Sequence, residues 1–282
     1  MFHFNKKFID VKDHSISKES FELFEDSEYE LLKTNPFPEL SELGKYYESE
    51  DYISHTDGSR NLFEKVYQTV KKKTLNDKIS WIKSFKKSTI SILDIGCGTG
   101  DFLFRTKEEG WNVFGFEPNE KAKAISKSKN INLIDDLDSY QKHSFDVITM
   151  WHVLEHVPDL DKQIKQIKTL LKPDGLLIIA VPNYKSYDAS FYKSDWAAYD
   201  VPRHLWHFSK TSIKKIFQNY QMQLIHIKPM YFDSFYVSLL SEKYRSGKMN
   251  LLRAFYIGLI SNLKGISTKE YSSHVYFLEN LK

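Results

Sequence analysis

The stretch Ile90-Ser-Ile-Leu-Asp-Ile-Gly-Cys-Gly-Thr-Gly-Asp101 joins an acid to three alternating glycines. Ile90, Ile92, Leu93 and Ile95 read as an apolar strand that carries Asp94 near its end and runs into a tight turn. Gly96, Gly98 and Gly100 lack a Cβ, so the backbone there can bend sharply and approach a ligand closely. A helix expected from Asp101 to about Glu109 points its unpaired N–H groups at the same place, and Gly110 suits its C-cap. A second strand, Asn112-Val-Phe-Gly-Phe-Glu117, ends in another acid. A carboxylate roughly 20 residues beyond such a turn can hold both hydroxyls of a ribose. The plainer readings are a turn-capping Asp94 and a solvated Glu117. Cys97 lies inside the turn and is the chain's one cysteine, which excludes an intrachain disulfide and a cysteine zinc cluster. It reads as a small turn residue rather than a nucleophile, in a reducing compartment.

Two further groups of residues have chemical potential. His152, Glu155 and His156 follow a fourth strand, Phe145–Met150. On one helical turn their spacing puts them on a common face, where two imidazoles and a carboxylate suit a divalent metal. His152 alone, with an ordinary pKa near 6.5, suits general-base work at neutral pH. The second group lies in the long aromatic segment from Val181 to Phe208, which carries Asp200, Arg203, His204 and His207. An acceptor pocket needs apolar walls with a few fixed polar groups, and this segment supplies both. Arg203 or His204 is the expected contact; the alternative is an Arg203–Asp200 pair that merely holds the loop.

Leu93-Asp-Ile-Gly-Cys-Gly-Thr-Gly100, Phe114-Gly-Phe-Glu-Pro118, Phe145 to His156 and Leu171-Lys-Pro-Asp-Gly-Leu-Leu177 together resemble the motifs of class I S-adenosylmethionine-dependent methyltransferases, over about residues 90–182. The resemblance implies a Rossmann-like α/β fold with a mostly parallel seven-stranded sheet, and S-adenosyl-L-methionine as cofactor. It implies cofactor contacts at Asp94, Gly96, Cys97, Gly98, Gly100, Glu117 and Pro118, at Asp135 or Asp136 for the adenine amino group, and at Met150, Trp151 and His152 for the methionine half. The Leu-Glu-His stretch is similar to ubiquinone-pathway O-methyltransferases, some of which use a metal; in metal-free relatives it fixes the loop, and no metal is expected here. Asp200-Val-Pro-Arg-His-Leu205 resembles an uncharacterised small-molecule subgroup. In the resembled family the region before the first long helix often crosses the cofactor cleft, which makes Tyr47, Tyr52 and His55 lid candidates. A nicotinamide-enzyme fingerprint wants its third glycine one residue later.

These residues need a scaffold. Strands near 90–95, 112–117, 131–134, 145–150 and 175–182 alternate with helices, which implies a parallel sheet with helices on both faces. Helices are also expected over 60–89, Asp159–Lys172 and 209–220, with strands near Gln223–Lys228 and His274–Leu278. Between those strands lies a helical, aromatic insertion, about 231–268. Residues 1–58 form an expected N-terminal module, with a hairpin about Glu25-Asp-Ser27, and residues 59–282 the catalytic domain. In relatives a zinc-ribbon-like cysteine pattern often occupies the N-terminal place; here packing alone must hold it.

The chain has 282 residues, 41% hydrophobic and 15% aromatic, with net charge +3. That suits a packed globular protein and gives no overall nucleic-acid signature. Nine Lys/Arg against two acids between Arg60 and Lys87 read as a solvated helical face. Met1-Phe-His-Phe-Asn-Lys-Lys lacks the apolar core of a signal peptide, and Leu251–Leu263 is too short to span a bilayer. The expectation is a cytoplasmic monomer or homodimer, without nucleic-acid or membrane partners, that methylates a small molecule at O, N or C. The alternatives are an RNA or protein methyltransferase and a non-catalytic cofactor-binding scaffold.

Overall fold

The computed structural model describes residues 2–39, 41–47, 62–86 and 88–281. Of the lid candidates, Tyr52 and His55 lie outside the described residues, as does the side chain of Tyr47.

Eleven strands form two sheets among the described residues. The larger has the order β10-β11-β8-β7-β4-β5-β6, with β4 Ser91–Ile95, β5 Asn112–Phe116, β6 Asn132–Leu133, β7 Phe145–Trp151, β8 Leu171–Pro182, β10 Met222–Pro229 and β11 Ser273–Asn280. Strands β4, β5, β6 and β7 pair in parallel. The connecting helices are α1 Leu62–Phe85, α2 Asp101–Lys107, α3 Glu120–Ser128 and α4 Leu160–Leu170. The expected α/β architecture with a mostly parallel seven-stranded sheet is thus the observed one. The chain divides into two compact units, one made of 55–153, 161–179 and 277–282, the other of 1–54, 154–160 and 180–276.

The first unit carries the parallel strands. Ile92, Leu93, Val147, Ile148 and Leu177 to Ile179 are wholly buried, as expected where helices cover both faces of a parallel sheet and the strands become continuous apolar runs. Helix α4 ends two residues before the expected Lys172, because Leu171 already belongs to β8 and Pro173 cannot donate to a helix. Strand β6 keeps only two of its four expected residues.

In the second unit, β1 Lys6–Lys12, β2 Ser20–Asp26, β3 Leu31–Asn35 and β9 Trp206–His207 build an antiparallel sheet. The expected hairpin is β2–β3. Asp26 makes its turn: the carboxylate accepts the N–H groups of Glu28 and Tyr29, both at 3.0 Å. Strands β1 and β9 escape the sequence reading, the latter because two residues carry no periodicity. Helices α5 Tyr187–Tyr192, α6 Lys210–Asn219, α7 Asp233–Ser246 and α8 Leu251–Thr268 complete the unit. The expected 231–268 insertion is the α7–α8 pair. Val11, Leu23, Leu32, Tyr192, Trp196 and Ile257 share the core of this unit.

Candidate functional site

The glycine turn is built by strand pairing. Asp94 lies opposite Gly115 on β5 and opposite Thr149 on β7. The N–H groups of Gly96 and Cys97 both donate to the Phe116 carbonyl, at 2.7 and 3.1 Å, which pins the turn to the tip of β5. Gly96, Gly98 and Gly100 all adopt positive φ, at 72°, 54° and 77°, where a side chain is strained. A Cβ on Gly96 would stand 2.5 Å from Val153 Cγ2, and one on Gly100 2.3 Å from Ser126 Oγ. A Cβ on Gly98 would meet nothing within 4 Å. The turn is packed on two glycines and open at the third, which is the shape of a cradle with room for a ligand.

Glu117 closes that cradle. Its Oε2 accepts the Gly98 N–H at 2.8 Å and its Oε1 accepts the Asn119 N–H at 2.9 Å. Its side chain is buried, not a solvated loop acid. Asn119 in turn caps α3 by accepting from Lys121 and Ala122. Asp94 is also buried and accepts the Thr149 hydroxyl at 2.6 Å. Burial pushes its carboxyl up to about 7, against the Thr149 hydrogen bond and the Lys78 charge, with Glu117 adding to the rise. Burial likewise pushes the Cys97 thiol up to about 12, so it stays protonated.

The tip of β7 adds aromatic surface. Met150 is fully buried. The Trp151 ring packs edge-on against Phe102 at 5.5 Å, with Lys78 Nζ 4.1 Å above it. The buried Trp151 indole N–H has no hydrogen-bond partner among the described residues, so a polar ligand group there would satisfy it. His152 follows at φ 57°, a left-handed conformation. Asp135 and Asp136 are exposed; Asp135 faces Lys123 at 3.4 Å, and Asp136 accepts the Asp138 N–H at 2.9 Å. Pro118 is exposed beside Glu117.

Lys78, Thr149 and Gly115 belong to this site and were missed. A Cβ on Gly115 would stand 2.7 Å from Cys97 Sγ, so a side chain there would crowd the turn above it. Thr149 had a signal, since it lies one residue before Met150 on a strand flanking Asp94. Lys78 had none, because a helix outside the motifs carries it.

The structure does not put His152, Glu155 and His156 on one helical face. Only Leu154–His156 forms a turn, a 3-10 one, and His152 lies outside it in a left-handed conformation. In the second unit, Glu155 and His156 instead approach His204, with one ligand atom from each within 4.8 Å of the others. His156 and His204 meet edge to face at 4.5 Å. Nδ1 of His156 lies 2.9 Å from the Arg203 carbonyl, and Nδ1 of His204 lies 2.8 Å from the Ala198 carbonyl. A carbonyl only accepts, so both Nδ1 atoms carry a proton. Such a group can hold a divalent cation; it can equally fix the loop. Burial pushes the His156 imidazole down to about 4, with His204 adding to the fall.

Arg203 is spent on protein groups. Nε donates to Asp200 Oδ2 at 2.9 Å and Nη2 to Asp200 Oδ1. Nη1 donates to the Tyr46 carbonyl at 3.0 Å, and Nη2 to Ser15 Oγ at 2.9 Å. Burial alone would raise the Asp200 carboxyl, but the Arg203 fork outweighs it and holds the group below its usual value. The Asp200 pair considered for this loop is therefore present. Thr34 donates to the His204 carbonyl at 2.7 Å. Its one proton being used, it accepts from His207 Nε2 at 3.1 Å.

With this geometry in place, comparisons with known proteins give it a family. The "Methyltransferase domain" family profile matches residues 63–227. The chain is 30% identical over 139 residues to a ubiquinone biosynthesis O-methyltransferase of Hydrogenovibrio crunogenus, covering 45% of this chain and 58% of that protein. A second, of Paraburkholderia phymatum, is 29% identical over 139 residues, covering 45% and 60%. The chain thus spans under two thirds of these relatives' length. Among solved structures, magnesium protoporphyrin IX methyltransferase from Synechocystis superposes with TM-score 0.55 at 16% identity, covering 83% of this chain and 95% of that one. A possible histamine N-methyltransferase from Thermotoga maritima superposes at 0.51 with 15% identity, covering 77% and 94%. The structural likeness is one of fold. The profile match over more than half of the chain establishes that this protein belongs to the methyltransferase-domain family.

Proposed function

We propose that the chain binds S-adenosyl-L-methionine and transfers its methyl group to a small-molecule acceptor. The observation that carries this reading is the Glu117 carboxylate hydrogen-bonded across the glycine turn to Gly98, at the one turn position that opens onto free space. When bound, the cofactor supplies a methyl group already activated on a sulfonium. Glu117 is the acceptor for its ribose hydroxyls. Asp94, buried and close to the Lys78 charge, answers the positive charge of its amino-acid end. Gly96, Cys97 and Gly100 shape the turn, and Trp151 and Met150 wall the site at the tip of β7. Pro118 and one of Asp135 or Asp136 border the adenine side.

His152 takes the acceptor's proton where the acceptor has one to lose. Arg203 is a positioning residue for its loop. Most of the rate gain is positioning, and no step asks for a metal. The relatives named as ubiquinone biosynthesis O-methyltransferases favour O-methylation.

A transfer assay with labelled S-adenosylmethionine tests this over phenols, amines and total RNA. Label moving to small phenols or amines, with transfer slowed in His152→Gln, agrees with the proposal. Label moving only to RNA, or cofactor binding without turnover, contradicts it.

A further inference from the structure

Helix α8 has two apolar faces. Ala254, Ile257, Gly258, Ser261 and Gly265 are buried within the second unit. Gly258 lets α7 come close: a Cβ there would stand 2.8 Å from Phe235 Cδ1. The opposite face carries Leu252, Phe255, Tyr256, Leu259, Leu263 and Ile266, exposed by 40 to 86%. At 100° per residue these six fall within about a third of the circumference, turned away from the buried stripe. The helix has 18 residues, about 27 Å of length. The stripe from Leu252 to Ile266 runs about 21 Å along it, and a continuous apolar stripe of that length on a protein surface marks a contact site.

The surrounding charge says what kind. From Lys243 to Lys269 the sequence has six Lys/Arg and no Asp or Glu, twice the net charge of +3 of the whole chain. Arg253 is partly neutralised by Glu242 at 3.3 Å. The others are Lys243, Arg245, Lys248, Lys264 and Lys269. Arg253 and Lys264 stand about a quarter turn from the stripe, each laid over an aromatic ring of α5, Phe191 and Tyr187. A two-fold copy of this surface would set like charges against one another. An anionic lipid surface matches both the stripe and its basic border. No described helix is long and apolar enough to cross a membrane, so the contact is one of lying on the surface, not spanning.

We propose that the outer face of α8 docks on the surface of an anionic phospholipid bilayer, with Leu252, Phe255, Leu259 and Leu263 entering the headgroup boundary and the basic residues meeting the phosphates. This departs from the expectation of no membrane partner, and it stands independently of the methyl-transfer reading.

The test is sedimentation of the full chain with vesicles of phosphatidylcholine alone and with phosphatidylglycerol added, beside light scattering of the free protein. Expected is at least roughly tenfold tighter binding to the phosphatidylglycerol vesicles, weakened by salt. Leu252→Ser with Phe255→Ser should abolish it while S-adenosylhomocysteine binding is kept, and Lys243→Gln with Lys248→Gln should weaken it severalfold. Binding untouched by the serine changes, or equal on both vesicles, would overturn the proposal. So would no vesicle binding, whether the protein is monomeric or a dimer that Leu252→Ser dissociates.

Discussion

Asp94 is where burial, hydrogen bonding and charge oppose one another. Its carboxyl, pushed up to about 7, is poised to change charge near neutral pH. A cationic ligand favours the carboxylate, so S-adenosylhomocysteine affinity should rise as pH increases through about 7 and level off above it. Asp94→Asn should bind more weakly at high pH and flatten the profile. Calorimetric titrations across that range check this; an unchanged affinity in the wild type would contradict the role given to Asp94. Asp94 and Glu117 were legible in the sequence because a turn and the next strand place them within a short span. Lys78 was not, because it reaches Trp151 by the tertiary docking of α1. His152 was legible as the tip of a strand but not as a left-handed residue, since a spacing of three and four residues suggests a helical turn whether or not one forms.

At the scale of elements, Arg203 is one of the side chains that hold the loop from Trp196 to His207. Arg203 ties it to Asp200, to the Tyr46 backbone and to Ser15. Arg203→Met would leave the half-buried Asp200 carboxylate without its fork, a change that costs less than the roughly 3–5 kcal/mol of a fully buried pair. Arg203→Lys keeps the charge but loses the planar fork, and should cost less. Urea unfolding measures both. Full stability with lost turnover in Arg203→Met would instead make Arg203 an acceptor contact. The strands and helices around this loop were mostly legible from periodicity: α6 begins at Lys210 behind a Ser209–Ser212 capping box, close to the start expected from Ser209 or Thr211. The partners of Arg203 were not all legible. Ser15 and Tyr46 lie more than 150 residues away in sequence, and β9, which joins the loop to the N-terminal sheet, is two residues long.

At the scale of the whole molecule, buried histidines make folding depend on pH. Burial holds His156 and His274 down to about 4 and His207 well below its usual value. Their unfolded values lie near 6.5, so between about 4 and 6.5 the unfolded chain binds more protons than the native one. Stability therefore rises with pH through that window and is lost as pH falls through it. By about pH 5 each of the two values near 4 removes on the order of 2 kcal/mol. Asp94 works against them in the same range, because its native carboxyl takes up a proton that the unfolded one would not. Three groups outweigh one, and the melting temperature should fall clearly from about pH 7.5 to about pH 5. A flat profile would contradict the burial of these imidazoles. Composition alone gave the globular class. It could not disclose that the apolar 231–268 segment has one face in the core and another exposed, because average hydrophobicity is blind to direction.

The central claim is that Glu117 and the glycine turn form one cofactor site. Calorimetric titration of S-adenosylhomocysteine into wild type and Glu117→Ala tests it most directly. Saturable binding by the wild type, weakened by about 1–3 kcal/mol in the variant, is predicted from the loss of buried hydrogen bonds to a ligand. Equal binding by both proteins, or none by the folded wild type, would contradict it.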